Sequence, residues 1–280
     1  MILPYADMKP VVLNFNESLL RASREILRRN RNHAILVDDS SKPWGVLSIR
    51  DIAKAIFIEG EEGIELIELG YLGKILESSA KLYASRPIVS VSPSTSLKES
   101  VNLMMERNIG FLPILDEEGK IIGAIEERNL IRAVSDFSQG NICGKATWKL
   151  ITIEAEEEIL AAVGVMLTSG IRHLVVVENG SIYGIVSLLK VLYHITSETS
   201  MRELLKGSRS PIEEKVKLIA ENPWTLDCSY SMREVASILA AERMGAVFVR
   251  DNDGNVGLFT DRDMLRILNE ELNKQEITRI

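Results

Sequence analysis

Two cysteines, three histidines and no apolar run approaching the ~18 residues of a membrane span exclude several chemistries at the outset. Cys143 and Cys228 stand far apart in the chain and build no framework of closely spaced pairs, so free thiols in a reducing compartment are expected. His33, His173 and His194 are dispersed with no cysteine pair beside them, which leaves zinc or another metal without a ligand set. The opening MILPYADMK lacks the basic-then-apolar order of a signal peptide, and a cytoplasmic protein with no membrane partner is expected. Positive charge is also in short supply. The 33 Lys and Arg against 40 Asp and Glu give a net −7 with no basic block, so a primary role on nucleic acid is disfavoured. There is no Ser-His-Asp arrangement and no glycine loop of the phosphate-cradling kind, so no catalytic residue is assigned and an enzyme is not expected.

What is present is an ordinary globular composition, 46% apolar and 26% charged over 280 residues, and a repeat. Four heptapeptides resemble one another: GVLSIRD from Gly45, GAIEERN from Gly123, GIVSLLK from Gly184 and GLFTDRD from Gly257. Each follows the same order of patterns. An extended opener leads to a run with helical apolar spacing, such as Leu19, Leu20, Ile26 and Leu27, or Leu97, Val101, Met104 and Met105. A short buried strand comes next (AILV, LPIL, HLVVV, AVFV), then a polar turn, a second strand and a closing helix. The fold class expected is α/β (α+β), four strand-helix-strand-strand-helix copies. They occupy 1–60, 86–138, 139–197 and 221–280, with helical connectors at 61–85 and 198–220. One such unit buries its sheet and two helices poorly alone, so copies should pair; adjacency in the chain predicts the first with the second and the third with the fourth.

The end of each heptapeptide is where chemistry concentrates. Thr260 and Asp263, or Ser48 and Asp51, stand where a strand gives way to a helix, and two uses fit. The pair is a capping-box signature, and it also presents a hydroxyl and a carboxylate at a helix N-terminus where backbone N–H groups point outward.

The four copies in register resemble the cystathionine-β-synthase (CBS) domain: extended Pro-Val opener, amphipathic helix, a strand like LPIL, an acidic turn with Gly, then Gly-x-x-Thr/Ser-x-x-Asp before a helix. The layout is similar to stand-alone four-CBS proteins and to the gamma subunit of AMP-activated protein kinase, two tandem pairs in all. The resemblance implies a regulatory ligand sensor that takes AMP, ADP, ATP or S-adenosylmethionine in clefts between paired copies. The motif aspartate would hold the ribose hydroxyls and the Thr or Ser phosphate or ribose. An ionised carboxylate can accept both hydroxyls, which Asn or Lys cannot do in the same way. The fourth copy, with Thr260 and Asp263, and the first, with Ser48 and Asp51, keep both groups. The third keeps Ser187 but has Lys190, which disables the site or turns it toward phosphate; the second has Glu126 and Asn129 and is expected to be empty or structural.

Candidate cations for phosphate are Arg50 and Arg262 within the motifs, with Arg172, His173 and Arg243 just before core strands. Each arginine reads equally as an exposed residue at a helix end, and His173 as a partly buried ring with one hydrogen bond. Met244, Gly245 and Ala246 would let backbone approach an adenine, unless Gly245 is a helix C-cap. No cofactor is expected beyond the nucleotide as ligand. The expected partners are that nucleotide, a second copy of the chain and an unidentified protein that reads the signal. A SAM-binding sensor and an interaction scaffold with vestigial clefts are the alternatives.

Overall fold

The computed structural model describes residues 1–57, 72–137, 140–241 and 245–277 of the 280-residue chain. In the first copy β1 (Val12–Asn14) lies parallel to β2 (His33–Val37), which pairs antiparallel with β3 (Pro43–Ser48), and helices α1 (Leu19–Arg28) and α2 (Ile49–Ile56) complete the unit. The second copy has α3 (Leu97–Glu106), β4 (Phe111–Leu115), β5 (Ile121–Glu126) and α4 (Glu127–Phe137). The third repeats the three-stranded plan with β6 (Thr152–Glu154), α5 (Ile159–Thr168), β7 (His173–Glu178), β8 (Ser181–Ser187) and α6 (Leu188–Ile195). The fourth does so with β9 (Thr225–Asp227), α7 (Met232–Ala241), β10 (Ala246–Arg250), β11 (Val256–Thr260) and α8 (Asp261–Ile277). Helical spacing and capping serines account for the first helices: Ser18 and Ser96 each accept from the backbone N–H three residues on.

The second copy departs from the expected opener strand. Only Val91 bridges to Ile114 there. In the first copy Ile35 donates its N–H to the Val11 carbonyl. Pro113 takes the register position of Ile35, opposite Ala124 as Ile35 is opposite Val46, and has no N–H to give. The ladder loses its first rung and the strand shrinks to a bridge.

The chain forms two compact units, and neither is a continuous stretch. One contains Val11–Ile88 and Ile151–Asn222, the other Met1–Pro10, Val89–Leu150 and Pro223–Ile280. The first and third copies share one core, in which Ile26, Leu47 and Ile52 meet Val163, Val186 and Leu192. The second and fourth share the other, in which Met104, Leu112 and Ile131 meet Val247, Phe259 and Leu268. Burial of apolar helix faces thus joins alternate copies, an arrangement that adjacency in the chain does not announce.

Each unit also contains the lead segments that precede, in sequence, the copies of the other unit. The lead of the first copy lies on the second, with Asp7 bridging Ala124; that of the second lies on the first, with Ser85 bridging Val46. Thr147, ahead of the third copy, bridges Leu258 of the fourth, and Glu221, ahead of the fourth, bridges Ile185 of the third. These contacts explain the repeated glycine. A Cβ on Gly184 would stand 2.8 Å from the Glu221 carbonyl oxygen, and one on Gly123 3.0 Å from that of Asp7. The glycine that opens each heptapeptide leaves room for a neighbouring lead.

Of the helices described, none is long and apolar enough to cross a membrane. The expectation of free thiols is corrected: Cys143 and Cys228, 85 residues apart, are disulfide-bonded with their Cα atoms 5.0 Å apart. Sequence distance hid this because the Cys143 segment leaves the third copy to lie on the fourth.

Candidate functional site

The four heptapeptides end in one local geometry. The first residue of each closing helix donates its backbone N–H to the carbonyl of the residue just before the core strand: Ile49 to Asn32 at 2.9 Å, Glu127 to Gly110 at 3.1 Å, Leu188 to Arg172 at 2.9 Å and Asp261 to Gly245 at 3.1 Å. The helix N-terminus is thereby pinned beside the start of β2, β4, β7 or β10.

At that N-terminus the motif side chains cap the helix. Ser48 donates its backbone N–H (2.8 Å) and its hydroxyl (2.6 Å) to Asp51 Oδ2, and accepts from the Asp51 N–H at 3.1 Å. Thr260 donates its N–H to Asp263 Oδ2 at 2.9 Å and its hydroxyl at 3.0 Å. Ser187 accepts from the Lys190 N–H at 3.1 Å, and Asn129 Oδ1 accepts from the Glu126 N–H at 2.8 Å. The capping use is therefore real in all four copies. In the fourth it engages one carboxylate oxygen and leaves Asp263 Oδ1 facing Arg266 Nη2 at 3.4 Å. Burial pushes the Asp263 carboxyl above the usual carboxylate range, while the two Thr260 bonds and Arg266 pull it back.

The expected cations have protein partners. Arg262 donates to Glu127 Oε1 and to Asn108 Oδ1, each at 2.6 Å, and Arg50 donates to the Gly170 carbonyl at 2.7 Å. Asn108 and Gly170 are equivalent, each holding the left-handed conformation (φ 51° and 67°) after the first helix of its copy. A motif arginine thus bridges the two copies of its own unit in both cases. Lys190 is paired with Glu221 of the exchanged lead at 2.8 Å. Arg172 lends its carbonyl to Leu188, and His173 lies opposite Ser187. Arg243 and Met244 lie outside the described residues. Gly245 has φ 70°, a left-handed conformation that favours glycine, and its missing Cβ leaves room for the buried Asp261 carboxylate, whose Oδ2 would be 2.5 Å away. Ala246 is buried opposite Thr260.

Register identifies two residues that pattern reading passed over. His33 lies opposite Ser48 as His173 lies opposite Ser187, so two of the dispersed histidines occupy one repeat position; aligning the copies from the hydroxyl backwards finds it. Arg266 also belongs to the site. Its signal is the i, i+3 spacing from Asp263 on a helix, and it holds Asp263, Glu270 and the Lys145 carbonyl together.

Comparison with known proteins agrees with the fourfold plan. The CBS domain family matches residues 6–58, 80–136, 142–206 and 215–270. An uncharacterized 33.4 kDa protein of Thermofilum pendens is 25% identical over 94% of this chain and 89% of its own length. An uncharacterized protein of Methanocaldococcus jannaschii is 22% identical over 95% of this chain and 98% of its own. A crystal structure from the same organism, described as a candidate archaeal homologue of γ-AMPK, superposes with a TM-score of 0.83 at 19% identity, covering 95% of this chain and 98% of that one.

Proposed function

We infer, from the premise that this chain belongs to the CBS domain family, that it is a non-enzymatic regulatory protein binding an adenosine nucleotide (AMP, ADP or ATP). The observation that carries this reading is the pair Thr260 and Asp263. Thr260 occupies Oδ2 of Asp263, and Oδ1 remains directed at a single guanidinium in a position suited to a ribose diol. Ser48 and Asp51 supply the same groups in the first copy. Asn129 and Lys190 withhold the carboxylate from the other two. Nucleotide binding would bias the arrangement of the copies, which a protein partner or a second copy of the chain would read. The setting we assign is cytoplasmic, where such nucleotides are pooled.

Calorimetric titration of the full chain with AMP, ADP, ATP and S-adenosylmethionine tests this. Binding by an adenine nucleotide at tens of micromolar or tighter supports it; heat with S-adenosylmethionine alone reassigns the ligand. Silence with all four leaves the interaction scaffold, which the completely satisfied capping box at Ser48 and Asp51 favours.

A further inference from the structure

The segment from Gly140 to Trp148 crosses the fourth copy as a strap. At one end Met232 donates to the Gly140 carbonyl, Asn141 bridges Ser231, and Ile142 donates to the Tyr230 carbonyl at 3.2 Å. At the other end Thr147 and Leu258 exchange backbone bonds of 2.8 and 2.9 Å. Between them the strap is fastened at two points. One is the Cys143–Cys228 disulfide. The other is Lys145, whose ammonium meets Glu270 Oε2 at 2.7 Å and whose carbonyl accepts from Arg266 Nη2 at 3.0 Å. That same nitrogen of Arg266 stands 3.4 Å from Asp263 Oδ1.

We propose that this strap sets the position of Arg266 beside Asp263, and that the Cys143–Cys228 bridge makes that setting redox-sensitive. The inference rests on the nucleotide reading of Asp263. With the strap fastened, the Lys145 carbonyl and Glu270 share the guanidinium, and its bond to Oδ1 stays long at 3.4 Å. With the strap released, Arg266 loses that carbonyl, Glu270 loses Lys145, and the guanidinium is free to take the oxygen that a ribose diol needs. Both cysteines are only partly buried, so a reductant can reach them. The chemistry is thiol–disulfide exchange with a dithiol. One reductant thiolate attacks a bridge sulfur and displaces the other cysteine as thiolate. The second reductant thiolate then attacks the reductant sulfur of the mixed disulfide and displaces the remaining cysteine as thiolate, so the dithiol is oxidised by two electrons to its own disulfide and its two protons pass to the two cysteines.

The test compares untreated full-length protein, protein reduced with dithiothreitol, Cys143→Ser/Cys228→Ser, and Lys145→Gln, which keeps the bridge but breaks the ion pair. Untreated protein should present no titratable thiol. Reduction and the double serine variant should speed amide exchange at Thr147 and Leu258 at least tenfold, and weaken AMP binding at least fivefold; Lys145→Gln should move both readouts the same way by less. If AMP binds in no state, the nucleotide reading fails while amide exchange still judges the strap. Two free thiols in untreated protein, or exchange at Thr147 and Leu258 unchanged by reduction, overturns the proposal, as does altered exchange with AMP affinity intact.

Discussion

Arg262 in the fourth copy and Glu127 in the second form an ion pair of 2.6 Å in which the glutamate side chain is only 5% exposed and the arginine 36%. The link joins two copies far apart in sequence, and it runs through a residue of the heptapeptide itself. Removing the cation leaves a buried carboxylate short of its closest partner. Arg262→Ala should therefore cost about 2 kcal/mol, below the range for fully buried pairs because the arginine is partly solvated. Arg50→Ala, which gives up a bond to a backbone carbonyl, should cost about 1 kcal/mol. Urea unfolding of both variants measures the difference, and equal values contradict the assigned roles.

Asp263→Asn separates the two uses of the motif. The second copy shows that an asparagine caps the same helix start, since Asn129 accepts from Glu126. The Asp263 carboxyl is held above its ordinary value by burial, so between the unfolded and the raised folded value the native state binds more protons and stability falls as pH rises. At neutral pH its ionisation opposes folding, and that opposition is relieved as pH drops through the raised value. Asp263→Asn should thus unfold no more easily than the wild type at pH 7 and show a smaller gain on mild acidification. A clear loss of Tm at pH 7 contradicts this.

Gly184→Ala tests the exchanged leads. A methyl group there meets the Glu221 carbonyl oxygen at 2.8 Å, a backbone atom that cannot swing aside. A loss of about 1–3 kcal/mol is expected, the ordinary toll of overpacking. Gly164→Ala, in α5 with nothing within 4 Å of the added atom, should instead gain up to about 1 kcal/mol. Thermal melts of the two variants should move in opposite directions.

Opening the Cys143–Cys228 bridge releases a loop of 85 residues. Reduction should lower stability by about 2–4 kcal/mol, and guanidinium unfolding with and without dithiothreitol reads it directly.

Much of this architecture was legible because local rules repeat. Helical spacing, the Gly-strand-helix junction and the polar turns recur four times, and recurrence gave the elements and the capping positions together. What stayed hidden was relational. That Ile52 shares a core with Val186, that Thr147 lies on Leu258, and that Cys143 meets Cys228 are long-range facts with no local pattern behind them. The arginines show the same limit. Arg50 and Arg262 carry the charge a phosphate needs, yet each points at the copy it packs against, and neither partner adjoins it in sequence. Arg266 was missed for the opposite reason: its spacing from Asp263 is local, but its significance comes from the Lys145 carbonyl, 121 residues away.

The central claim is that the carboxylate of Asp263 serves a nucleotide as well as a helix. Calorimetric titration of AMP into the wild type and Asp263→Asn, both confirmed folded by their melts, tests it most directly. The account predicts loss of the fourth-copy binding event in the variant, with any event at Asp51 retained. Identical isotherms for the two proteins would contradict it.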